Sequence, residues 1–143
     1  MDYFDDDLGT TIFQYWNKFA HRLDFKMKNY HNNTFPLTLY FPCNEKGDIK
    51  NVNRALVYCH THNGNRIEGL ELIEKAVENE IIFACFDFNG NGEGSGEYVT
   101  LGWYETLDIN IVLNFLCNEA KIKHVCLWGR SMGASASIFY LSE

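Results

Sequence analysis

The sequence lacks any run of the ~18 consecutive apolar residues that a membrane-spanning helix requires. Its first seven residues are mostly acidic and do not show the basic-then-apolar pattern of a signal peptide. Basic residues are also scarce, since 12 Lys and Arg against 19 Asp and Glu give a formal net charge of -7 at pH 7. This charge argues against nucleic acid or an anionic membrane as a partner. We therefore predict a protein with no transmembrane segment and no nucleic-acid ligand.

Paired cysteine spacings are absent as well. None of the five cysteines forms a C-x-x-C motif. An odd number without paired spacing favours reduced thiols and predicts a cytoplasmic location. Cys59, Cys85 and Cys126 fall within predicted strands, where a thiol is expected to be buried as a small apolar group.

The length of 143 residues fits one domain with a core of its own. We expect residues 1–20 to form an acidic tail and a short helix, followed by the domain over residues 21–143. The helix is predicted over residues 11–20 because four apolar side chains recur there at the spacing of one helical face: Ile12, Tyr15, Trp16 and Phe19. Residues 1–10 are expected to be mobile.

Apolar and polar residues alternate over residues 22–30 and again over 35–41, with a polar turn between them. A period of two indicates half-exposed strands, so these segments are predicted to pair as an antiparallel hairpin. Three later segments, 55–59, 81–86 and 125–128, are continuously apolar instead. Continuous runs are typical of strands that are covered on both faces, as in a parallel sheet.

Helical patterns separate the apolar strands. Asn65 and Glu68 match a capping box at the start of one helix, and residues 102–120 carry apolar side chains at helical spacing. The element order is therefore β-β-β-α-β-α-β-α. With right-handed crossovers, this order predicts an α/β fold, in which a mostly parallel sheet begins with an antiparallel hairpin and carries helices on both faces.

The segment Gly129–Gly133, of sequence Gly-Arg-Ser-Met-Gly, lies between a predicted strand and a run of small and apolar residues that favours a helix. A G-x-S-x-G motif in that context is typical of a nucleophile elbow, in which the serine sits in a strained turn. Both glycines are needed because neighbouring backbone must approach the turn without a Cβ. Ser131 is therefore the candidate nucleophile.

Ligands of an open parallel sheet bind at the carboxyl ends of its strands, where residues 60–65, residues 87–96 and the elbow are expected to meet. Attack by a serine creates an oxyanion that needs preorganised N–H donors. The residue after the serine, Met132, supplies one of them. The loop after strand 55–59 is the source of the second in this architecture.

Three segments occur in the order His-Thr-His-Asn-Gly-Asn-Arg (60–66), Phe-Asp-Phe-Asn-Gly-Asn-Gly-Glu-Gly-Ser-Gly (86–96) and Gly-Arg-Ser-Met-Gly (129–133). Through them the chain resembles the N-terminal half of the α/β-hydrolase superfamily, over about residues 35–143. Within that superfamily it is similar to the branch of serine aminopeptidase-like hydrolases, monoacylglycerol lipases and protein depalmitoylases.

This resemblance implies a serine hydrolase that cleaves an ester, a thioester or an amide by acyl transfer, without a cofactor or a metal. Ser131 would be the nucleophile, and the N–H groups of Met132 and His62 would hold the oxyanion. The substrate would be a small molecule or an acylated or peptide substrate. Thr61 stands where the superfamily usually has Gly, which would shift the oxyanion loop or misalign its donor.

The acid and the histidine of the superfamily follow its nucleophile, but Ser131 is followed here by no histidine and by one acidic residue, Glu143. Without a base, a serine hydroxyl is a poor nucleophile at neutral pH. Strand 124–128 would also be left as a bare edge that invites pairing. We therefore expect a fragment of a longer hydrolase, truncated after the elbow helix, or a chain that self-associates through this strand.

Other interpretations remain open at this point. The chain would alternatively be a truncated or decayed, non-catalytic α/β-hydrolase-like module that binds a partner through its open edge. A metal-dependent hydrolase would use His60 and His62, whose H-x-H spacing at a strand end is compatible with metal ligands. Asp87 ends a buried strand and is either a triad acid or a residue that fixes its loop. The glycine-rich segment 90–96 is expected to be a turn, because it lacks the spacing and the lysine of a phosphate-binding loop.

Overall fold

The computed structural model describes residues 3–142, which contain a six-stranded sheet. Its strands are β1 (Ile12–Tyr15), β2 (Lys18–Lys28), β3 (Thr34–Cys43), β4 (Arg54–Cys59), β5 (Ile82–Phe86) and β6 (His124–Gly129). The α-helices are α1 (Ile73–Glu78), α2 (Glu105–Asn118) and α3 (Met132–Ser142), and 3-10 helices span Asp5–Leu8 and Arg66–Leu72. None of the helices in these residues is both long and apolar enough to cross a membrane.

The predicted α/β fold is confirmed. The strand order is β1-β2-β3-β5-β4-β6, with β1, β2 and β3 antiparallel to their neighbours and β4 parallel to both β5 and β6. Helices cover both faces of this mixed sheet. Ile109 of α2 and Met132 of α3 belong to one buried cluster, whereas Ile73 and Val77 of α1 belong to a second cluster on the other face.

β5 lies between β3 and β4, and all five of its residues are buried. Ala84 and Phe86 pack into the cluster of α2 and α3, whereas Phe83 and Cys85 pack into the cluster of α1. A strand with an apolar layer on each face has no solvent-exposed side to fill with polar residues. The continuous apolar run of this strand follows from that position.

Residues 11–20 do not form the predicted helix. Ile12–Tyr15 is β1, which pairs antiparallel with β2, and Trp16 turns the chain with a φ of +55°. The apolar residues that show helical spacing are divided between two strands: Ile12 and Tyr15 lie on β1, and Phe19 lies on β2. Their spacing therefore does not reflect a helix. Phe13, which does not fit the helical pattern, packs edge-on against Tyr40 with ring centroids 5.6 Å apart. Strand pairing and this tertiary contact override the local periodicity.

The N-terminal segment is packed in its described part, and the expected mobile tail is wrong there. Asp5–Leu8 forms a 3-10 helix, Leu8 is buried, and the Leu8 carbonyl accepts a hydrogen bond from Tyr40 Oη at 3.1 Å. Tyr3 Oη donates to Asp87 Oδ2 at 2.7 Å. The acidic composition of this segment does not indicate these two hydrogen bonds, because each is made with a residue far along the chain.

Within residues 3–142, β6 lies at the edge of the sheet, as predicted for strand 124–128. Its side chains alternate between exposed and half-buried. Leu127 packs against the cluster of α2 and α3, but the opposite face is open, so Cys126 is exposed and Trp128 is 51% exposed. The expected burial of Cys126 is therefore wrong, whereas Cys59 and Cys85, on strands with neighbours on both sides, are buried as predicted.

Candidate active site

Ser131 occupies a strained turn between β6, which ends at Gly129, and α3, which begins at Met132. Its φ of +51° lies in the left-handed region, which is uncommon for a residue with a Cβ. Strain of this kind costs about 1–3 kcal/mol and persists only where the surrounding structure holds it. The strand–turn–helix context expected of the motif is present, and the serine side chain is exposed.

The two glycines of the motif allow backbone to approach closely, as predicted. A Cβ on Gly129 would lie 2.5 Å from Ala134 Cα. A Cβ on Gly133 would collide with the Cys59 carbonyl group and lie 2.7 Å from the His60 carbonyl oxygen. Because backbone atoms cannot rotate away as a side chain can, α3 packs against the end of β4 only with glycine at this position.

The elbow and the loop after β4 lie side by side because β4 and β6 are parallel neighbours. Cys59 is paired with Gly129 in the sheet register, and the Arg130 N–H donates to the Cys59 carbonyl at 3.1 Å. The two strands therefore bring residues 60–65 and Ser131 to the same edge of the sheet. A serine nucleophile and its oxyanion loop require this arrangement.

His60 is buried and uses both ring nitrogens within the protein. Its Nδ1 lies 2.6 Å from the Thr61 carbonyl oxygen, and its Nε2 accepts from the Phe88 N–H at 3.0 Å, so the proton resides on Nδ1. Burial lowers the pKa of His60 and favours the neutral ring. Both nitrogens are thus engaged, and residues 3–142 contain no group of three or more His, Cys, Asp or Glu side chains that could hold a metal ion. The contacts do not favour a metal site built on His60 and His62.

The peptide group between Thr61 and His62 is held at its carbonyl end. The Thr61 oxygen accepts from His60 Nδ1 at 2.6 Å and from the Gly64 N–H at 3.0 Å. The His62 N–H is the other end of the same planar group. Its direction is therefore set by the partners of the Thr61 carbonyl.

The loop is held at the next peptide group as well. The His62 carbonyl accepts from Asn91 Nδ2 at 2.5 Å. Among residues 3–142, neither the His62 N–H nor the Met132 N–H donates to an acceptor within the protein.

Asp87 fixes the loop that follows β5. Its buried carboxylate accepts from the Arg66 N–H at 2.6 Å, from the Glu93 N–H at 2.8 Å and from Tyr3 Oη at 2.7 Å. A Cβ on Gly92 would collide with the same carboxylate. Both carboxylate oxygens are committed to these loops, which favours the loop-fixing interpretation over a triad acid.

Arg66 is a buried cation beside this carboxylate, and sequence reasoning missed it. It is 3% exposed, and its guanidinium donates to Thr38 Oγ1 at 2.9 Å and to Glu93 Oε2 at 2.6 Å and contacts Tyr3 Oη. Its partners are distant in sequence, so no local pattern around Arg66 indicates its burial.

Asn65 caps the 3-10 helix as predicted, because its side chain accepts from the Ile67 N–H at 3.0 Å. The α-helical part, α1, begins only at Ile73. The Glu68 carboxylate has a contact that the capping-box pattern does not predict. It accepts from Tyr58 Oη and from Thr61 Oγ1, both at 2.8 Å, and so ties this helix to the loop that carries His62.

The glycine-rich segment 90–96 turns beside the oxyanion loop, as predicted. Gly90 and Gly92 adopt φ values of +85° and +50°, which suit glycine. A cavity of about 740 Å³ lies between this turn and the loop; it is lined by His62, Asn63, Gly90, Asn91, Gly92, Val99 and Leu101. The turn therefore shapes a space next to one predicted oxyanion donor.

The described residues do not pair Ser131 with a base. Within residues 3–142 no side chain hydrogen-bonds the Ser131 hydroxyl, and the Ser131 carbonyl, not its Oγ, accepts from Ser135. His124 begins β6, at the end opposite the elbow. Glu143, the one acidic residue after Ser131, lies outside the described residues.

Comparison with known proteins identifies similar structures but no similar sequence family. No protein-family model and no curated protein sequence matches the chain. The Pyrococcus furiosus esterase Pf2001 superposes with a TM-score of 0.71 and 23% identity over 87% of this chain and 48% of the esterase. The α/β hydrolase GrgF from Penicillium sp. sh18 superposes with a TM-score of 0.66 and 18% identity over 83% of this chain and 40% of GrgF. This chain has the α/β-hydrolase fold.

The M263Q mutant of an epoxide hydrolase from Vigna radiata superposes as well, with a TM-score of 0.64 and 11% identity over 85% of this chain and 34% of the epoxide hydrolase. The chain thus spans about half the length of the Pyrococcus furiosus esterase and less of the other two. Identities this low show the fold, and one fold hosts different reactions. The reaction has to be argued from the site.

Proposed function

We propose that the chain carries the nucleophile and the oxyanion hole of a serine hydrolase that cleaves an ester, a thioester or an amide by acyl transfer. The observation that supports it most strongly is the φ of +51° at Ser131, in the turn between β6 and α3. A serine in such a turn presents its Oγ at the carboxyl edge of the sheet, where a substrate can reach it. The crowding around Gly129 and Gly133 supports the same assignment.

In this proposal Ser131 Oγ attacks the substrate carbonyl carbon while a base takes the hydroxyl proton. The resulting oxyanion accepts hydrogen bonds from the N–H groups of Met132 and His62. Collapse of the intermediate expels an alcohol, a thiol or an amine, which takes up the proton, and leaves an acyl ester on Ser131. Water then attacks this ester by the same route and releases a carboxylic acid and the free serine. We assign the base and its acid partner to residues outside 3–142, in a longer chain or in a partner.

The substrate is proposed from the sequence motifs and from the structural neighbours. The motifs resemble those of serine aminopeptidase-like hydrolases, monoacylglycerol lipases and depalmitoylases, which favours a small ester or an acylated or peptide substrate. Esterases are among the structural neighbours, which makes a simple ester the first substrate to test. The cysteines are all free, which supports the proposed cytoplasmic location.

A fluorophosphonate probe is expected to label the full-length native protein, and Ser131→Ala is expected to abolish the label. Such a probe reacts with an activated serine, and its phosphoryl oxygen occupies the oxyanion hole. The adduct is measured by intact mass and mapped by peptide digestion. Ser142→Ala is the matched control, since it removes an exposed hydroxyl from the far end of the same helix and should label like the wild type. Absence of labelling in the native protein would overturn the proposal.

A second candidate is a non-catalytic module that binds a partner through β6. It is favoured by the position of β6, which pairs only with β4 among residues 3–142 and exposes Trp128. Unpaired N–H and C=O groups along an edge strand form hydrogen bonds with a strand of another chain. A second copy of the same chain is the simplest partner for such an edge.

Trp128→Lys is expected to convert a self-associated chain into a monomer, because a charge on an edge strand opposes strand addition. Light scattering over a range of protein concentrations gives the mass. Trp103→Lys is the matched control: this tryptophan is 67% exposed and lies in the loop before α2, so its replacement should leave the mass unchanged. A wild-type chain that is monomeric at all concentrations would contradict self-association through β6.

A further inference from the structure

The Glu68 carboxylate joins the oxyanion loop to the strand that precedes it. Its Oε2 accepts from Thr61 Oγ1 at 2.8 Å and from the Thr61 N–H at 3.4 Å, and its Oε1 accepts from Tyr58 Oη at 2.8 Å. Glu68 itself lies in a 3-10 helix whose start is fixed by the Asn65 cap. The Glu68 carboxylate therefore contacts the loop from a helix whose first turn is held by its cap.

The loop closes tightly around this carboxylate. A Cβ on Gly64 would collide with Glu68 Oε2 and lie 2.9 Å from Thr61 Oγ1. Threonine is stiff about χ1, so a hydrogen bond to its hydroxyl also restrains its backbone. The side chain that departs from the usual glycine of the superfamily is thus the one that Glu68 binds.

These contacts add a second restraint on the orientation of the His62 N–H, besides the hydrogen bonds to the Thr61 carbonyl. Glu68 holds the Thr61 N–H and hydroxyl, and His60 Nδ1 holds the Thr61 carbonyl at 2.6 Å. With both flanking peptide groups of Thr61 held, the plane that ends in the His62 N–H has little freedom to rotate. Loss of the Glu68 contact would release one of the two restraints.

Tyr58 is the second side chain that donates to this carboxylate. Burial raises the pKa of Tyr58 to about 12; the hydrogen bond to Glu68 adds to the rise, and the neighbouring Arg130 guanidinium opposes it. Arg130 immediately precedes Ser131 in the sequence. Tyr58 thus donates to Glu68 and lies near the charge of the residue that precedes the nucleophile.

We propose that Glu68 is a positioning residue of the oxyanion hole and acts through the hydroxyl of Thr61. This inference rests on the proposed function, because it assigns the His62 N–H to the oxyanion. Glu68 does not touch the substrate. It holds the loop in the orientation that aims the His62 N–H at the developing charge, so that threonine at position 61 is compatible with a working donor.

The test compares Thr61→Val, which keeps the shape and removes the hydroxyl, with Thr61→Ser, which keeps the hydroxyl. Hydrolysis of a p-nitrophenyl ester by the full-length protein is measured as kcat and KM. Thr61→Val is expected to lower kcat about 10- to 100-fold, less than the roughly 100- to 1,000-fold cost of deleting an oxyanion donor. KM is expected to stay within about twofold, since the lost interaction belongs to the transition state. Thr61→Ser is expected to restore kcat.

Thr100→Val is the matched control. Thr100 makes the same kind of contact, because its N–H and Oγ1 donate to the Glu105 carboxylate at 2.9 and 2.7 Å. This variant should lose comparable stability and keep the wild-type kcat. Glu68→Gln, measured beside Glu105→Gln, repeats the comparison from the carboxylate side if Thr61→Val does not fold.

The outcomes separate the two proposals. Wild-type protein whose Ser131 labels, together with Thr61→Val at wild-type kcat, overturns the positioning role alone. Equal losses of kcat in Thr61→Val and Thr100→Val, or no rescue by Thr61→Ser, show a merely structural role and overturn it too. Wild-type protein without Ser131-dependent labelling overturns the proposed function and the positioning role with it.

Discussion

A Gly133→Ala variant is expected to lose about 2 kcal/mol of unfolding free energy and to label at Ser131 roughly tenfold more slowly than the wild type. The new Cβ would meet the carbonyl groups of Cys59 and His60, both of which belong to the backbone at the end of β4. Relief of this clash requires the start of α3 to move away from the oxyanion loop. That movement displaces the Met132 N–H relative to the His62 N–H.

Two opposing terms set the size of the stability change. Replacement of glycine by alanine inside a helix normally stabilises by about 1 kcal/mol. Overpacking typically costs about 1–3 kcal/mol and occasionally more. At Gly133 the obstacle is backbone next to a buried strand, so the cost belongs at the upper end of that range and exceeds the gain in helix propensity.

Urea denaturation measures the stability change, and the rate of phosphonate labelling measures the effect on the site. Ser142→Ala, at the exposed far end of the same helix, is the control and should change neither quantity appreciably. A Gly133→Ala protein as stable as the wild type would show that the clash costs no more than the roughly 1 kcal/mol gained in helix propensity. The steric explanation of the motif would then be wrong.

An Asp87→Asn variant is expected to lose about 3 kcal/mol of unfolding free energy. Oδ1 of Asp87 accepts from the Arg66 N–H, and Oδ2 accepts from the Glu93 N–H and from Tyr3 Oη. An asparagine keeps the shape, but its NH2 group must face one of these donors, whichever way the amide is turned. A buried donor is then left without an acceptor, and the buried guanidinium of Arg66 loses a nearby negative charge.

Chemical denaturation of Asp87→Asn beside Asp48→Asn tests this expectation. Asp48 is exposed and accepts from Asn44 Nδ2, so its replacement should change stability by no more than about 0.5 kcal/mol. Phosphonate labelling of the same variants separates the two interpretations of Asp87. Unchanged stability with complete loss of labelling would make Asp87 the triad acid and would refute its loop-fixing role.

Most of the sheet is predictable from local pattern, because the rule for each strand acts over a few neighbouring residues. The alternating segments became β2 and β3, and the continuous apolar runs became β4, β5 and β6. The exception is Ile12–Tyr15, whose apolar spacing fits a helix. Its outcome depends on Tyr40, the ring against which Phe13 packs, and no window around residue 12 contains that ring.

The candidate site also has features that the sequence predicts and features that it does not. The position of Ser131 and the need for two glycines follow from the sequence, because a tight turn between a strand and a helix imposes local steric demands. The partners of Thr61 do not follow from it. Local pattern assigns Glu68 to a capping box, whereas its carboxylate hydrogen-bonds Thr61, seven positions away.

The sequence by itself thus determined the fold class and the residue in the elbow, since apolar periodicity and glycine placement act over short distances. Tertiary structure decided which polar groups meet. Tyr3 reaches Asp87 across 84 positions, and the Phe88 N–H reaches His60 across 28. Such contacts depend on the order of the strands in the sheet. Hydrogen bonds between residues so far apart in sequence produce no periodic pattern of residue types. The left-handed turn at Ser131 is local; the neutral ring of His60 and the anchored loop beside it are products of the fold.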